Sequence, residues 1–291
     1  MPVPRKILIR VIGAPLLVAA LCGVIAWGNH LQGKGQPNTP VRVLILVVAV
    51  VCMHEISAMC AAKGIVTARW AGMLATAVYF FPWDRITTNA LIVGHAAETA
   101  SVGLLFYLLM SVVFRFGALN PDGAALTYFG FGYMTLLAYA LDLPVRLEHA
   151  QAYYLLFLLA AGKGSDMAAF VVGKSMGKRP MTPRVSPNKT WEGGIAGGIV
   201  GMAAGFAVIH FTPLRGAYPG VPVAALLFFC LLVTIASQVG DLVKSAFKRW
   251  AGVKDSGRIL PEFGGMLDMV DSFIIAAPVA TLGTKLLDRF F

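Results

Sequence analysis

Long apolar runs separated by short polar stretches make up most of this chain. A helix needs about 20 apolar residues to cross the hydrocarbon core of a bilayer. Nine runs approach or exceed that length: 7–27, 41–61, 65–81, 90–114, 123–142, 149–172, 193–212, 221–243 and 265–287. The pattern predicts an all-α, polytopic integral membrane protein with about nine transmembrane helices. The third run is the weakest, because Arg69 and Trp70 lie inside it.

The polar stretches suggest two regions of the chain. Residues 1–150 contain about five of the predicted helices. Residues 151–291 contain the other helices and the two polar loops that are richest in charge, 173–192 and 244–264. We expect this C-terminal region to carry the chemistry.

The distribution of Lys and Arg predicts the orientation of the helices. With the N-terminus in the cytoplasm, 16 of the 24 basic residues fall on the cytoplasmic side, seven fall on the other side, and Lys163 lies inside the sixth helix. Cytoplasmic loops carry such an excess of positive charge. The sequence therefore predicts cytoplasmic loops 173–192 and 244–264, a cytoplasmic polar site and a C-terminus on the opposite side.

The composition supports this interpretation. Hydrophobic residues make up 58% of the 291 residues and charged residues only 13%, against roughly 25% charged in soluble domains. The net charge of +10 is typical of loops that face anionic lipid, so we expect membrane lipids and no nucleic acid as partners. The four cysteines all lie in apolar runs, where they serve as small buried hydrophobic residues.

Three aspartates lie near the predicted cytoplasmic ends of the last two helices: Asp241, Asp268 and Asp271. Asp268 and Asp271 are three residues apart and share one helical face. Converging carboxylates repel one another unless a cation lies between them, and Mg²⁺ prefers such hard oxygen ligands. Two interpretations stay open: the aspartates hold a metal ion, or each caps a helix or pairs with a nearby lysine.

The two loops supply groups that can bind phosphate. In the first loop, Lys189 is surrounded by Ser186, Asn188 and Thr190, whose side chains can hydrogen-bond to phosphate oxygens. The second loop contributes cations, namely Lys248, Arg249, Lys254 and Arg258. A nucleoside triphosphate needs positive charge from several sides, although the sequence has no GxxxxGK[ST] loop. The alternative is a basic rim that faces lipid headgroups.

Further ionisable residues lie deeper in the apolar runs. Lys163 and Asp166 are spaced for an internal ion pair, and His95 and Glu98 have the same spacing. Asp166 precedes the first basic loop by a few residues and is therefore a candidate for the same site.

The C-terminal motifs resemble those of the phosphatidate cytidylyltransferases, also called CDP-diacylglycerol synthases. That family ends in S-x-x-K-R-x4-K-D-x-G-x2-L-P-G-H-G-G-x-L-D-R-x-D, which the stretch from Ser245 to Asp271 matches at most positions. Residues 186–193, SPNKTWEG, match a second family element, and residues 166–173 resemble a third. The agreement covers roughly the last 130 residues, whereas the first 150 share only hydropathy with the family.

The resemblance implies that an oxygen of phosphatidate attacks the α-phosphorus of CTP and that pyrophosphate leaves. It implies catalytic roles for Asp241, Asp268, Asp271 and Lys248, with the three aspartates on Mg²⁺ and a second metal ion left open. The residues implied for substrate binding are Ser186, Asn188, Lys189, Thr190, Arg249, Lys254 and Asp166. The resemblance also suggests a homodimer in a bacterial inner or plasma membrane.

The chain departs from the family pattern at several positions. Glu is usual where Lys244 stands, Arg where Met269 stands, and Thr where Met167 stands. Gly-His is usual where Glu262 and Phe263 stand. We expect Lys244 to supply the cation missing at Met269, and Glu262 to replace a lost acidic group.

Three alternatives remain at this point. The chain is a related enzyme that acts on another lipid phosphate or nucleotide, a non-catalytic relative, or a membrane transporter with Lys163, Asp166, His95 and Glu98 along an ion path. Transporters commonly contain internal repeats, and no repeat is visible in this sequence.

Overall fold

The computed structural model describes residues 23–24, 27, 39–83, 90–114, 119–140, 151–257 and 264–291. Most of these residues are helical. The α-helices, numbered α1 to α8, are Thr39–Ala62, Arg69–Phe80, Ala90–Val113, Pro121–Thr135, Gln151–Met176, Trp191–Phe211, Val223–Ala251 and Met266–Phe290. Short 3-10 helices cover Leu136–Ala140 and Pro213–Ala217. The first predicted helix, 7–27, lies almost wholly outside the described residues.

The described chain contains five helices that are long and apolar enough to cross a membrane. They are Pro40–Ala62, Tyr153–Met176, Trp191–Phe211, Val223–Ala251 and Met266–Phe290. Each matches one of the nine predicted crossings, and the protein is an integral membrane protein. The helix at the weak third run, α2, has only 12 residues and is about 18 Å long, shorter than the roughly 30 Å core. The count of nine crossings stays a prediction.

The chain divides into two compact units. Unit 1 comprises Met1–Thr135 and Ala251–Met269, and unit 2 comprises Leu136–Trp250 and Val270–Phe291. The domain division expected near residue 150 stays a prediction.

In unit 1, the start of α2 is fastened to α4 through Thr127. The Thr127 hydroxyl accepts a hydrogen bond from the backbone N–H of Ala68 at 3.0 Å and donates one to the carbonyl of Gly123 at 2.7 Å. The side chain of Met53 from α1 fills the space beside Gly72 and Gly130. Small residues on α2 and α4 thus allow α1 to pack closely against both helices.

In unit 2, a row of glycines brings the backbones of α5 and α6 together. Gly193, Gly197, Gly201 and Gly205 recur every fourth residue along α6. A Cβ added to Gly201 would lie 2.6 Å from the carbonyl oxygen of Ala161, and one added to Gly197 would lie 2.8 Å from that of Ser165. Small residues at this spacing are a common means of close helix packing in membranes.

The predicted loop 173–192 is more ordered than the sequence suggests. Helix α5 continues to Met176, and a two-stranded antiparallel sheet follows, with β1 at Pro180–Thr182 and β2 at Ser186–Thr190. Thr190 ends β2 and caps α6, because its hydroxyl accepts the backbone N–H of Gly193 at 3.2 Å. The structure thus adds a small sheet to the predicted all-α fold. This hairpin holds the SPNKT residues on a fixed backbone at the start of a membrane-spanning helix.

Candidate active site

A polar cluster in unit 2 gathers side chains from α5, α7, α8 and β2. Lys244 on α7 is at its centre. Its ammonium group lies 2.9 Å from Asp241 Oδ1, one turn earlier on the same helix, and also bonds to Asp271 Oδ2 on α8. Two of the three predicted metal-binding aspartates therefore converge on one positive charge.

Lys189 joins this cluster from β2. Its ammonium group contacts Oδ2 of Asp241, so the two carboxylate oxygens of Asp241 bond to two different lysines. This contact links the SPNKT hairpin to the GDL sequence of α7, as the sequence predicts for residues that serve one site.

A second part of the cluster lies on α5. Lys163 Nζ is 3.5 Å from Asp166 Oδ2 and 3.9 Å from Asp271 Oδ1. The hydroxyl of Ser272 lies 3.4 Å from Asp166 Oδ2 and 3.1 Å from Asp271 Oδ1. The predicted Lys163–Asp166 ion pair is confirmed, and Asp166 belongs to the same cluster as Asp241 and Asp271.

The lysines and aspartates of this cluster differ in their solvent exposure. The side chains of Lys244 and Asp271 are 7% and 3% exposed, whereas those of Lys189 and Lys163 are 30% and 39% exposed. A ligand could therefore reach the ammonium groups of Lys189 and Lys163 more readily than that of Lys244. The two outer lysines can exchange a carboxylate partner for a phosphate oxygen, while Lys244 holds the buried pair together.

Close contact between α7 and α8 brings the two aspartates together. A Cβ added at Gly240 would overlap the backbone carbonyl of Asp271, so the glycine before Asp241 allows this approach. One turn earlier, the Gln238 amide donates to Ser165 Oγ at 2.9 Å and to the Gly194 carbonyl at 3.0 Å. Gln238 thereby ties α7 to α5 and α6. The sequence pattern does not indicate a role for Gln238, because that role depends on contacts with residues that are remote along the chain.

Asp268 bonds to other residues, Ser256 and Gly265, which lie in unit 1. Its Oδ2 accepts the hydroxyl of Ser256 at 2.9 Å and the backbone N–H groups of Ser256 and Gly265 at 3.1 and 3.2 Å. Asp268 is in the first turn of α8, where a carboxylate is favoured by the helix dipole. The capping interpretation left open for the aspartates is thus realised at Asp268.

Glu55 on α1 completes this end of α8. It is 2% exposed, and its carboxylate accepts the backbone N–H groups of Met266 and Leu267, each at 2.8 Å. It also bonds to the hydroxyl of Ser256 at 3.1 Å. Gly257 and Gly265 leave room for it, since a Cβ at Gly265 would lie 2.6 Å from Glu55 Oε1. The second glycine of the GGMLD motif therefore helps to accommodate this carboxylate.

The other residues predicted to bind substrate are distributed between the two units. Arg249 Nε donates to the carbonyl of Val185 at 3.2 Å, which anchors α7 to the hairpin. Ser186 and Asn188 lie on β2, where Asn188 is exposed. Lys248 is half-buried on α7, and Lys254 is exposed in unit 1. Their substrate contacts stay predictions.

Metal binding is likewise a prediction. Among the described residues, no three His, Cys, Asp or Glu side chains form a group that could hold a metal ion. Asp241 and Asp271 supply hard oxygen donors of the kind that Mg²⁺ prefers, and they already converge on a cation. The donor chemistry therefore fits a divalent ion, although Lys244 occupies the place between these two carboxylates.

Several departures from the family pattern can be located. Lys244 is the buried centre of the cluster, as described above. Met167 is exposed on a membrane-spanning helix, where it can contact lipid. Glu262 and Phe263 lie outside the described residues, as does the side chain of His95.

Comparison with known proteins places these motifs in one family. The model of the cytidylyltransferase family matches residues 9–287. A phosphatidate cytidylyltransferase of Brucella suis is 36% identical over 206 residues, which cover 69% of this chain and 72% of that protein. The Bacillus subtilis phosphatidate cytidylyltransferase is 35% identical over 210 residues, 72% of each chain. The uncharacterized protein YnbB of Escherichia coli is 42% identical over 144 residues, 49% of this chain and 46% of its own. This chain belongs to the cytidylyltransferase family.

Proposed function

We propose that this protein is a membrane phosphatidate cytidylyltransferase, which converts CTP and phosphatidate to CDP-diacylglycerol and pyrophosphate. The observation that carries the proposal is the contact of Lys189 in the SPNKT hairpin with Asp241 in the GDL sequence. Two motifs of the family, 52 residues apart along the chain, thus meet within one partly buried polar cluster. The family relationship and the relatives named phosphatidate cytidylyltransferase support the same activity.

The reaction needs positive charge and correct placement more than a covalent intermediate. A phosphate oxygen of phosphatidate forms a bond to the α-phosphorus of CTP, and the bond between that phosphorus and the oxygen bridging to the β-phosphate breaks. Both substrates are anionic, so ammonium groups must screen their repulsion and the charge that develops on pyrophosphate. Lys189 and Lys163 are the accessible lysines of the described cluster that can do this, and Lys248, Arg249 and Lys254 are further candidates.

Magnesium belongs to the same proposal. Asp241 and Asp271 would hold the ion, whereas the metal role that the family resemblance implies for Asp268 stays a prediction. Bound Mg²⁺ would supply Lewis acidity and charge neutralisation at the triphosphate. Magnesium is commonly bound by one or two carboxylates plus substrate phosphates, so it can arrive with CTP.

The location of the site follows from the substrates. Phosphatidate lies in the bilayer and CTP is dissolved in the cytosol, so we place the active site at the cytoplasmic membrane surface. The positive charge of loops 173–192 and 244–264 supports that orientation. A homodimer, suggested by the family, completes the proposal.

The test is an assay of purified protein in detergent or proteoliposomes. With CTP, Mg²⁺ and phosphatidate, we expect pyrophosphate and CDP-diacylglycerol in equal amounts, and no product after chelation of the metal. Other nucleoside triphosphates and polyprenyl phosphates should react more slowly. Preferred turnover of one of those substrates would overturn the assignment to phosphatidate or CTP, and failure with every lipid phosphate would exclude a cytidylyltransferase.

A further inference from the structure

The ammonium group of Lys244 occupies the position in which paired carboxylates commonly hold a metal ion. It contacts Asp241 on its own helix and Asp271 on the neighbouring helix, and all three groups lie in membrane-spanning segments. Lys244 and Asp271 are almost fully buried. A buried ammonium is costly unless it is paired, and here it has two anionic partners.

The charge balance explains why a cation must lie there. Asp241 and Asp271 approach each other from different helices, and two carboxylates that share a site repel each other when both are ionised. Lys189 contacts Asp241 from the opposite oxygen, and Lys163 is 3.9 Å from Asp271. These two lysines are more exposed than Lys244, so a phosphate can replace their carboxylate partners. Lys244 is the cation that remains between the carboxylates when substrate engages the outer lysines.

We propose that Lys244 takes the place of a second divalent ion, so that this chain needs one metal ion where two would otherwise serve. The inference rests on the proposed use of Mg²⁺ at this site. Lys244 supplies a fixed positive charge and holds α7 to α8. It cannot bind a substrate oxygen as a metal can, because an ammonium has donors but no open coordination position. Lewis acidity would therefore come only from the ion that accompanies the nucleotide.

The proposal makes Lys244 a positioning residue whose loss should create a metal requirement. In Lys244→Met, a side chain of similar length leaves Asp241 and Asp271 without their central cation, and in Lys244→Glu a third carboxylate joins them. Either variant should bind one more divalent ion than the wild-type chain. Because an ion that binds only the folded state stabilises it, the thermal stability of either variant should also depend more strongly on added metal.

The experiment uses Mn²⁺ as the probe, because it substitutes for Mg²⁺ and its binding is counted by electron paramagnetic resonance. Full-length wild-type, Lys244→Met and Lys244→Glu proteins are titrated with Mn²⁺ in detergent, without nucleotide. Lys285→Met, which removes an exposed lysine near the other end of α8, is the control for loss of one positive charge. We expect one additional tightly bound Mn²⁺ in both Lys244 variants, a rise in their Tm when Mn²⁺ is added, and wild-type behaviour in the control.

Two outcomes would overturn the proposal. One is an equal number of bound ions in the wild type and in the Lys244 variants. The other is a wild-type chain that itself binds two Mn²⁺ ions tightly, a measurement that needs no variant to fold. Since neither readout depends on turnover, the result is distinct from the assay for CDP-diacylglycerol. Loss of the proposed activity with the expected metal counts would reject the function and leave the role of Lys244 standing.

Discussion

The carboxylate of Glu55 accepts the backbone N–H of Leu267 at 2.8 Å, although the two residues are 212 positions apart. Helix α1 thereby supplies an acceptor to the N-terminus of α8, which would otherwise have unpaired N–H groups. The hydroxyl of Ser256 lies between Glu55 and Asp268, at 3.1 and 2.9 Å. Glu55 thus helps to position a residue of the GGMLD motif without belonging to that motif.

Replacement of Glu55 should destabilise the protein and impair catalysis. Glu55→Ala leaves the backbone N–H groups of Met266 and Leu267 without their acceptor, at a cost of about 1–3 kcal/mol for each buried group left unpaired. We expect a lower Tm and a reduced kcat, with a milder effect in Glu55→Gln, whose amide oxygen can still accept. Glu98→Gln, at an exposed position in the same unit, is the control. A Tm and kcat for Glu55→Ala that equal those of the control would show that this cap is dispensable.

Asp241→Asn and Asp268→Asn should each abolish turnover. Loss of a carboxylate that binds metal removes several kcal/mol of transition-state stabilisation, which lowers kcat by at least about a hundredfold. Pyrophosphate release is measured over a Mg²⁺ titration, and circular dichroism checks that each variant is folded. Asp288→Asn, near the other end of α8, is the matched control. Near wild-type rates in either active-site variant would contradict its metal role.

Lys189→Ala should raise the CTP concentration needed for half-maximal rate. Lys189 is the lysine of the SPNKT hairpin, and its ammonium group contacts Asp241. A phosphate oxygen of bound CTP could replace the Asp241 carboxylate as the partner of this ammonium group. A lost charge-assisted hydrogen bond is worth about 1.5–3 kcal/mol, or roughly tenfold or more in affinity. Lys178→Ala, an exposed lysine before β1, removes the same charge. CTP affinity equal in the two variants at matched salt would exclude a specific role for Lys189.

Gly201→Ala should weaken the packing of α5 against α6. The added Cβ would lie 2.6 Å from the carbonyl oxygen of Ala161, and such overpacking costs about 1–3 kcal/mol. Gly198→Ala is an internal control, because its Cβ would meet only Leu231 Cδ1 at 3.9 Å. We expect a clear decrease in Tm for Gly201→Ala and none for Gly198→Ala. Equal stability of the two variants would refute close backbone contact at Gly201.

The membrane orientation can be tested with single cysteines in a chain that lacks its four native cysteines. Ser186 and Asp255 should lie on the cytoplasmic side, and Gly216 on the other side, because α6 and α7 form a pair of crossings. Asp255 and Gly216 are exposed, so a cysteine at either position can meet the reagent.

An impermeant thiol reagent added to right-side-out vesicles should label only Gly216→Cys. After the vesicles are made permeable, all three positions should react, which controls for accessibility. Labelling of Ser186→Cys or Asp255→Cys in intact vesicles would refute the orientation and the cytoplasmic active site.

The membrane-spanning character and several charged residues of the cluster could be predicted from the sequence alone. A helix in hydrocarbon must satisfy its own backbone, so long apolar runs such as 193–212 and 221–243 have few alternatives to crossing helices. Charged residues in such runs are costly enough to mark functional positions, and that argument selected Asp166, Asp241, Asp268 and Asp271. The one-turn spacing of Lys163 and Asp166 also sufficed to predict their ion pair.

The partners of those charges were decided by the tertiary structure. Local spacing treats Asp268 and Asp271 alike, since both lie on one face of α8, yet Asp268 bonds to Ser256 and Asp271 bonds to Lys244. The GxxxG spacing of α6 was present in the sequence, but only the structure shows that α5 packs on it. No rule based on local sequence spacing could predict that Glu55 bonds to Leu267. The donors that surround a buried carboxylate are set by which distant segments pack against it in the folded chain. Helix packing likewise explains the position of Lys244, which replaces the usual Glu of the family motif. The contact between α7 and α8 places its ammonium group between Asp241 and Asp271.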